Sequence, residues 1–211
     1  MNEYEKIETL YDRDPATFKF QEPLVLRSKV FGLVNPWIWT EKIDGTNIRI
    51  IWKDSKVSFA GRTDAAQIHP DLLKWMTANF TEEKLGAVFP SDATEVALYG
   101  EGCGAGIQKG GADYSSTKKV ILFDVKVGQF WLSDANMRDV AAKLGVEAVP
   151  FVAETTLQAA TEMVRSGIMS LCAEKPRQAE GLVGRPPEDL FDRHGRRLIV
   201  KLKTKDFGGS K

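Results

Sequence analysis

Between residues 37 and 59 the sequence lays down three strand-like segments in close succession, and this cadence constrains the fold more than any other feature. Trp37-Ile38-Trp39 leads into Glu41-Lys42-Ile43, residues 47–52 alternate apolar with polar, and Val57-Ser58-Phe59 follows a Lys53-Asp54-Ser55 turn. Asp44-Gly45 falls between the first two segments, where a hairpin turn would use the tolerance of glycine for positive φ. That reading sets Lys42 at a strand end beside a tight turn.

The rest of the chain alternates helix and strand signals. Leu72, Leu73, Trp75, Met76 and Phe80 recur at helical spacing behind Pro70, and a second short helix is predicted over 82–88. A strand over 96–99 runs into a glycine-rich loop over 100–111, and a buried strand over 120–127 is joined by Gly128 to another over 130–132. Ser133 caps a helix carrying Met137, Val140, Ala141 and Leu144, which Gly145 stops. A helix over 157–165 ends at Ser166-Gly167, and strands over 181–184 and 198–202 flank a polar loop at 186–197. Hairpin-paired strands with helices packed on them predict an α+β domain built on antiparallel sheets flanked by helices. With no repeat, low-complexity tract or linker, residues 1–211 read as a single domain.

Charge bears on the partner. Twenty-nine basic residues balance 29 acidic ones, so bulk charge attracts no polyanion, and any such site must be local. Basic residues cluster at 109–119 and 193–205, although a charge cluster is more often only a solvated face. The apolar stretches fall short of the run of about 20 residues that spans a bilayer. The start, Met1-Asn2-Glu3-Tyr4-Glu5-Lys6, lacks a basic segment followed by an apolar one. The expectation is a soluble, cytoplasmic chain with no membrane partner. Cys103 and Cys172 are then expected as reduced thiols. Neither Cys103 nor His194 has a partner at ligand spacing.

Several residues could carry chemistry. A nucleophilic Lys42 needs a neutral amine, which desolvation or neighbouring cations supply. Lys201 and Lys203 share one face of the last strand while Leu198, Val200 and Leu202 take the other. The same pattern suits an edge strand guarded by lysines. Glu101, Asp124 and Glu180 each lie at a strand end or beside a glycine, where an acid can bind a metal or a ribose. Asp124 lies in an apolar run and needs a partner if buried, which an arginine could also provide.

In order along the chain stand Glu41-Lys42-Ile43-Asp44-Gly45-Thr46-Asn47, Gly61-Arg62-Thr63, Tyr99-Gly100-Glu101, Gly106-Ile107-Gln108-Lys109 with Asp113-Tyr114, Phe123-Asp124, Glu180-Gly181 and Lys201-Leu202-Lys203. Together they resemble the covalent nucleotidyltransferases, and within them the bacteriophage RNA ligase 2 family, over nearly the whole chain. The resemblance implies an ATP-dependent RNA ligase with a nucleotidyltransferase fold. Lys42 would attack the α-phosphorus of ATP to give lysyl-AMP, with Lys201, Lys203 and Asp44 in the catalytic set.

By the same resemblance Phe123 stacks on adenine, Glu101 holds the ribose, and Glu41 and Asp124 belong to the nucleotide site. Glu180 and Asn47 would hold a hydrated Mg²⁺ or Mn²⁺. Arg62 would reach the RNA end as well as the nucleotide, and Lys109 would bind RNA. AMP would pass to a 5′-phosphate, and a 3′-hydroxyl would then displace it, at RNA ends or nicks in a duplex. The sequence departs from longer relatives in ending soon after the last lysine motif, so no oligonucleotide-binding (OB) domain is expected, and a partner protein is a candidate to replace it. A minimal DNA ligase, a capping-type guanylyltransferase and a non-catalytic module binding ATP or RNA ends are the alternatives. Oligomeric state is not legible.

Overall fold

A computed structural model describes residues 3–89 and 95–208; Met1 and Asn2 of the start, and the tail at 209–211, lie outside the described residues. Its strands are β1 (Glu8–Thr9), β2 (Trp37–Lys42), β3 (Thr46–Lys53), β4 (Lys56–Gly61), β5 (Val96–Cys103), β6 (Lys119–Val127), β7 (Phe130–Trp131), β8 (Phe151–Thr155), β9 (Gly181–Arg185) and β10 (Val200–Lys203). Its α-helices are α1 (Pro70–Asn79), α2 (Glu82–Val88), α3 (Gly111–Tyr114), α4 (Asp134–Leu144) and α5 (Leu157–Arg165). The predicted α+β class holds. The helix ends follow their caps: Pro70 opens α1, the Ser133 hydroxyl accepts from Asn136 N, and Gly145 closes α4 in the left-handed region. Among the described residues no helix is long and apolar enough to cross a membrane.

The chain packs as two compact units. One comprises Glu5–Ile43, Pro150–Cys172 and Pro176–Lys211. Its sheet runs β1-β10-β9-β2-β8, antiparallel except where β1 lies parallel to β10. Trp37, Trp39, Leu182, Val200 and Leu202 pack with Ala160 and Val164 of α5 beneath it. Gly184 faces Trp39 across the ladder, and a Cβ there would meet the indole at 2.5 Å.

The other unit comprises Asp44–Val149 and Ala173–Lys175, with Tyr4. Its sheet runs β4-β3-β5-β6-β7, antiparallel throughout. Ile48, Ile50 and Trp52 take one face of β3, where Leu72 of α1 sits over Gly102 and Trp52 lies against Gly86 of α2. Asn47 and Arg49 take the opposite face.

Three local expectations are corrected. Asp44-Gly45 is not a hairpin turn: β2 pairs with β8 and β9, β3 pairs with β4 and β5, and the dipeptide carries the chain from one sheet to the other. Gly45 does not use positive φ there; a Cβ on it would lie 2.2 Å from the Gly102 carbonyl oxygen and 2.9 Å from Glu101 Cγ, so close approach is what demands glycine. The segment from 100 to 103 is strand rather than loop, because Gly100 and Gly102 admit Val120 and Leu72 at contacts a side chain would block. Lastly, β10 is no edge strand, since β1 and β9 flank it. The short β1, β8 and α3 carry no period readable in the sequence.

Candidate active site

In the first unit, strand register assembles a charge cluster. Gly181 is paired with Lys42 across β2 and with Lys203 across β10, so three neighbouring strands end level with one another. Glu180 precedes Gly181 and gives one carboxylate oxygen to each lysine: Lys42 Nζ donates to Oε2 at 2.6 Å and Lys203 Nζ to Oε1 at 2.5 Å. All three side chains are 14–20% exposed. Burial pushes the Glu180 carboxyl up, but the Lys42 charge and the hydrogen bonds from Lys203 and Lys42 outweigh it and hold the group below its usual range. Gly181 makes the convergence possible, for at φ +155° a Cβ would meet Leu202 O at 1.9 Å.

Lys201 shares the Lys203 face of β10. Burial, then the charges of Lys203, Lys42, Arg13 and Lys6, lower its pKa to about 8. A lysine so surrounded favours a polyanion that would compensate the cations. Glu41, on the other face of β2 from Lys42, is 2% exposed and accepts from Ser170 Oγ at 2.5 Å and Leu171 N at 2.7 Å. Its carboxylate thus anchors the 170–172 segment on the side of β2 away from Lys42.

In the second unit, a bulge and a set of glycines shape a polar and aromatic face. Asn47 and Glu101 stand opposite one another on β3 and β5. On β6, Asp124 pairs with Tyr99 and Leu122 with Gly100, leaving Phe123 as the extra residue of a β-bulge. Tyr4 packs where the bulge opens. Its ring meets Phe123 edge-on at 5.0 Å and Tyr99 at 4.9 Å, and its hydroxyl donates to Asp124 Oδ2 at 2.8 Å. Asp124 is fully buried, so that hydroxyl and the Val125 N–H, at 3.2 Å, answer the need for a partner that its apolar setting creates.

The segment following Lys42 is fixed from the glycine-rich region: Tyr114 OH accepts from Asp44 N at 3.2 Å, and Gln108 Nε2 donates to Gly45 O at 3.1 Å. The sequence assigns no role to Tyr4, Gln108 or Tyr114. Only the Gly-Ile-Gln-Lys and Asp-Tyr elements carried a signal for the last two.

Arg62 is exposed and forms no ion pair among the described residues, and the same holds for Lys109. Within the two basic clusters several cations are ion-paired. Lys118 pairs with Asp71, Lys119 with Glu147, Arg196 with Asp192 and Arg197 with Asp189. Both cysteines are free thiols, and burial pushes the Cys103 thiol up to about 12.

Asn47 Oδ1 is buried with no hydrogen-bond partner, and Glu180 is held charged. Each is a hard oxygen donor of the kind that Mg²⁺ or Mn²⁺ accepts, Glu180 in the first unit and Asn47 in the second. Among the described residues no three His, Cys, Asp or Glu groups gather as a cage.

The chain superposes on Naegleria gruberi RNA ligase bound to pyrophosphate with a TM-score of 0.64 at 18% identity, covering 97% of this chain and 62% of that one. A variant of the same ligase with ATP and manganese gives 0.65 at 19% identity, covering 94% and 59%. An apo variant gives 0.62 at 19%, covering 82% of this chain and 50% of that one. The chain therefore has the nucleotidyltransferase fold of RNA ligases and spans half to three-fifths of the length of these structures. The RNA ligase family model matches residues 35–203, and the chain belongs to the RNA ligase family. No curated protein matches it.

Proposed function

We propose that this chain is an ATP-dependent RNA ligase of the bacteriophage RNA ligase 2 type, acting through lysyl-AMP on Lys42, with residues 1–211 serving as one nucleotidyltransferase domain. The observation that carries the reading is the Lys42–Glu180–Lys203 convergence, with Lys201 beside it. A carboxylate that directs the amine, next to cations that lack full compensation, suits attack on a phosphate.

In the first step the Lys42 Nζ lone pair bonds to the α-phosphorus of ATP as the bond to pyrophosphate breaks. The amine's hydrogen bond to Glu180 Oε2 fixes its direction and lies at the atom from which a proton must leave. Lys201 and Lys203 neutralise the phosphate oxygens. Phe123, set off by its bulge, offers a face for adenine, Glu101 holds the ribose, and Asp124 with Tyr4 steadies the base site. Glu180 and Asn47 are the residues that would hold a divalent ion, which would supply charge neutralisation. Asp44, tied by Tyr114, keeps the residues after the nucleophile in place.

AMP then passes to an RNA 5′-phosphate, and a 3′-hydroxyl expels it to seal the strand. Positioning and charge carry such in-line chemistry. Arg62 and Lys109, exposed and without ion pairs among the described residues, are cations available to engage RNA, as in RNA repair. The test is sealing of a nicked duplex, with RNA or DNA on each side of the nick and ATP or GTP as donor, read on a denaturing gel. Sealing of RNA 3′-hydroxyl ends with ATP is expected. Preference for all-DNA nicks supports a minimal DNA ligase, transfer of GMP to an RNA end supports a capping enzyme, and silence in every arm overturns the ligase reading.

A further inference from the structure

We propose that Arg49 and Asp64 form a positioning device that fixes the segment bearing Arg62, and so sets how this chain grips an RNA end; the second half of this inference rests on the ligase reading. Arg49 lies on β3 with no exposed surface at all. Its guanidinium reaches two points on the chain that follows β4. Nε donates to Gly61 O at 2.8 Å, and Nη2 donates to Asp64 Oδ1 at 2.6 Å. Arg62 and Thr63 lie between those points, so one rigid side chain clamps the backbone on either side of the exposed Arg62.

The clamp has an electrostatic reason to hold. Asp64 is the one carboxylate paired with Arg49 among the described residues, and Arg49 Nη1 is buried without any hydrogen-bond partner. The desolvated charge therefore depends on a carboxylate whose own side chain is 82% exposed. An exposed acid on a loop would ordinarily move freely in water; here the buried cation holds it. The loop also closes on itself: Ala66 N donates to Thr63 O at 3.2 Å, and Ala66 Cβ sits 2.8 Å from where a Cβ on Gly61 would lie. Only a planar fork can serve Gly61 and Asp64 together, which a lysine ammonium cannot reproduce.

Two measurements test the device. Asp64 is exposed, so Asp64→Asn is expected to fold, and amide exchange at 62–66 is expected to accelerate roughly tenfold without any ligand. Unchanged exchange would overturn the clamp whether or not the chain is a ligase. In single-turnover transfer of AMP from adenylylated protein to an RNA 5′-phosphate, Asp64→Asn is expected to lose roughly tenfold. In an Arg62→Ala background the same change should then add less than about twofold, because the two act as one unit. Equal losses in both backgrounds, or none in either, would show that Asp64 does not act through Arg62. Arg49→Lys should reproduce the Asp64→Asn exchange pattern.

Discussion

The two units present candidate site residues from strands, but they bring them together by different means. Around Lys42 the cause is register: three strands end level, Gly181 lets β9 and β10 close, and opposite charges find each other across the ladder. Around Glu101 the cause is shape: a bulge frees Phe123, Gly45 admits Glu101 and the Gly102 carbonyl, and Tyr4 fills the space. The first arrangement is all-or-none, since a slip in register separates every charge at once. The second is distributed, so single changes should weaken it by steps.

The sharpest way to break that contrast is Gly181→Ala. With backbone 1.9 Å from the new Cβ, the strands must part, and a loss of more than about 3 kcal/mol is expected in a denaturant melt. Lys42 adenylylation should vanish with it. If the variant keeps both, register at Gly181 is not what gathers the lysines. A smaller, graded effect is expected from Tyr4→Phe. It deprives buried Asp124 of a donor at 2.8 Å and should cost about 1–2 kcal/mol while weakening nucleotide binding in calorimetry. An effect as large as that of Gly181→Ala would refute the distributed picture.

How much of this was legible follows the same division. Periodicity and caps gave α1, α2, α4 and α5, because each carries its own amphipathic pattern and stop signal. The lysine, acid and glycine elements marked Lys42, Glu180, Lys201 and Lys203, and Glu180-Gly181 stands one ladder step from both outer lysines. What the sequence hid was pairing at a distance. Asp44-Gly45 has the local chemistry of a hairpin, and only the separate partners of β2 and β3 deny it. Arg49 sits in an apolar strand with nothing nearby in sequence to show that Asp64 will neutralise it. Tyr4 lies 120 residues from the carboxylate it serves.

The smallest expected effect sharpens the charge side of the comparison. Burial and neighbouring cations lower Lys201 from 10.5 to about 8. Between those values the unfolded chain binds the extra proton, so stability rises with pH across the window, and the penalty is fully present below pH 8. Lys201→Met should therefore stabilise the fold at pH 7 by about 1 kcal/mol after solvent screening, a Tm gain of about 2–4 °C. That gain should disappear above about pH 10.5, while adenylylation falls. A gain that persists at high pH would assign it to packing instead.

The most direct test of the central claim is the intact mass of the protein after incubation with ATP and Mg²⁺ or Mn²⁺, for the wild type and for Lys42→Ala. Addition of a single AMP to the wild type and none to the variant is the expected result. An unmodified wild type under both metals, or an equal adduct on Lys42→Ala, would contradict the assignment of Lys42 as the nucleophile.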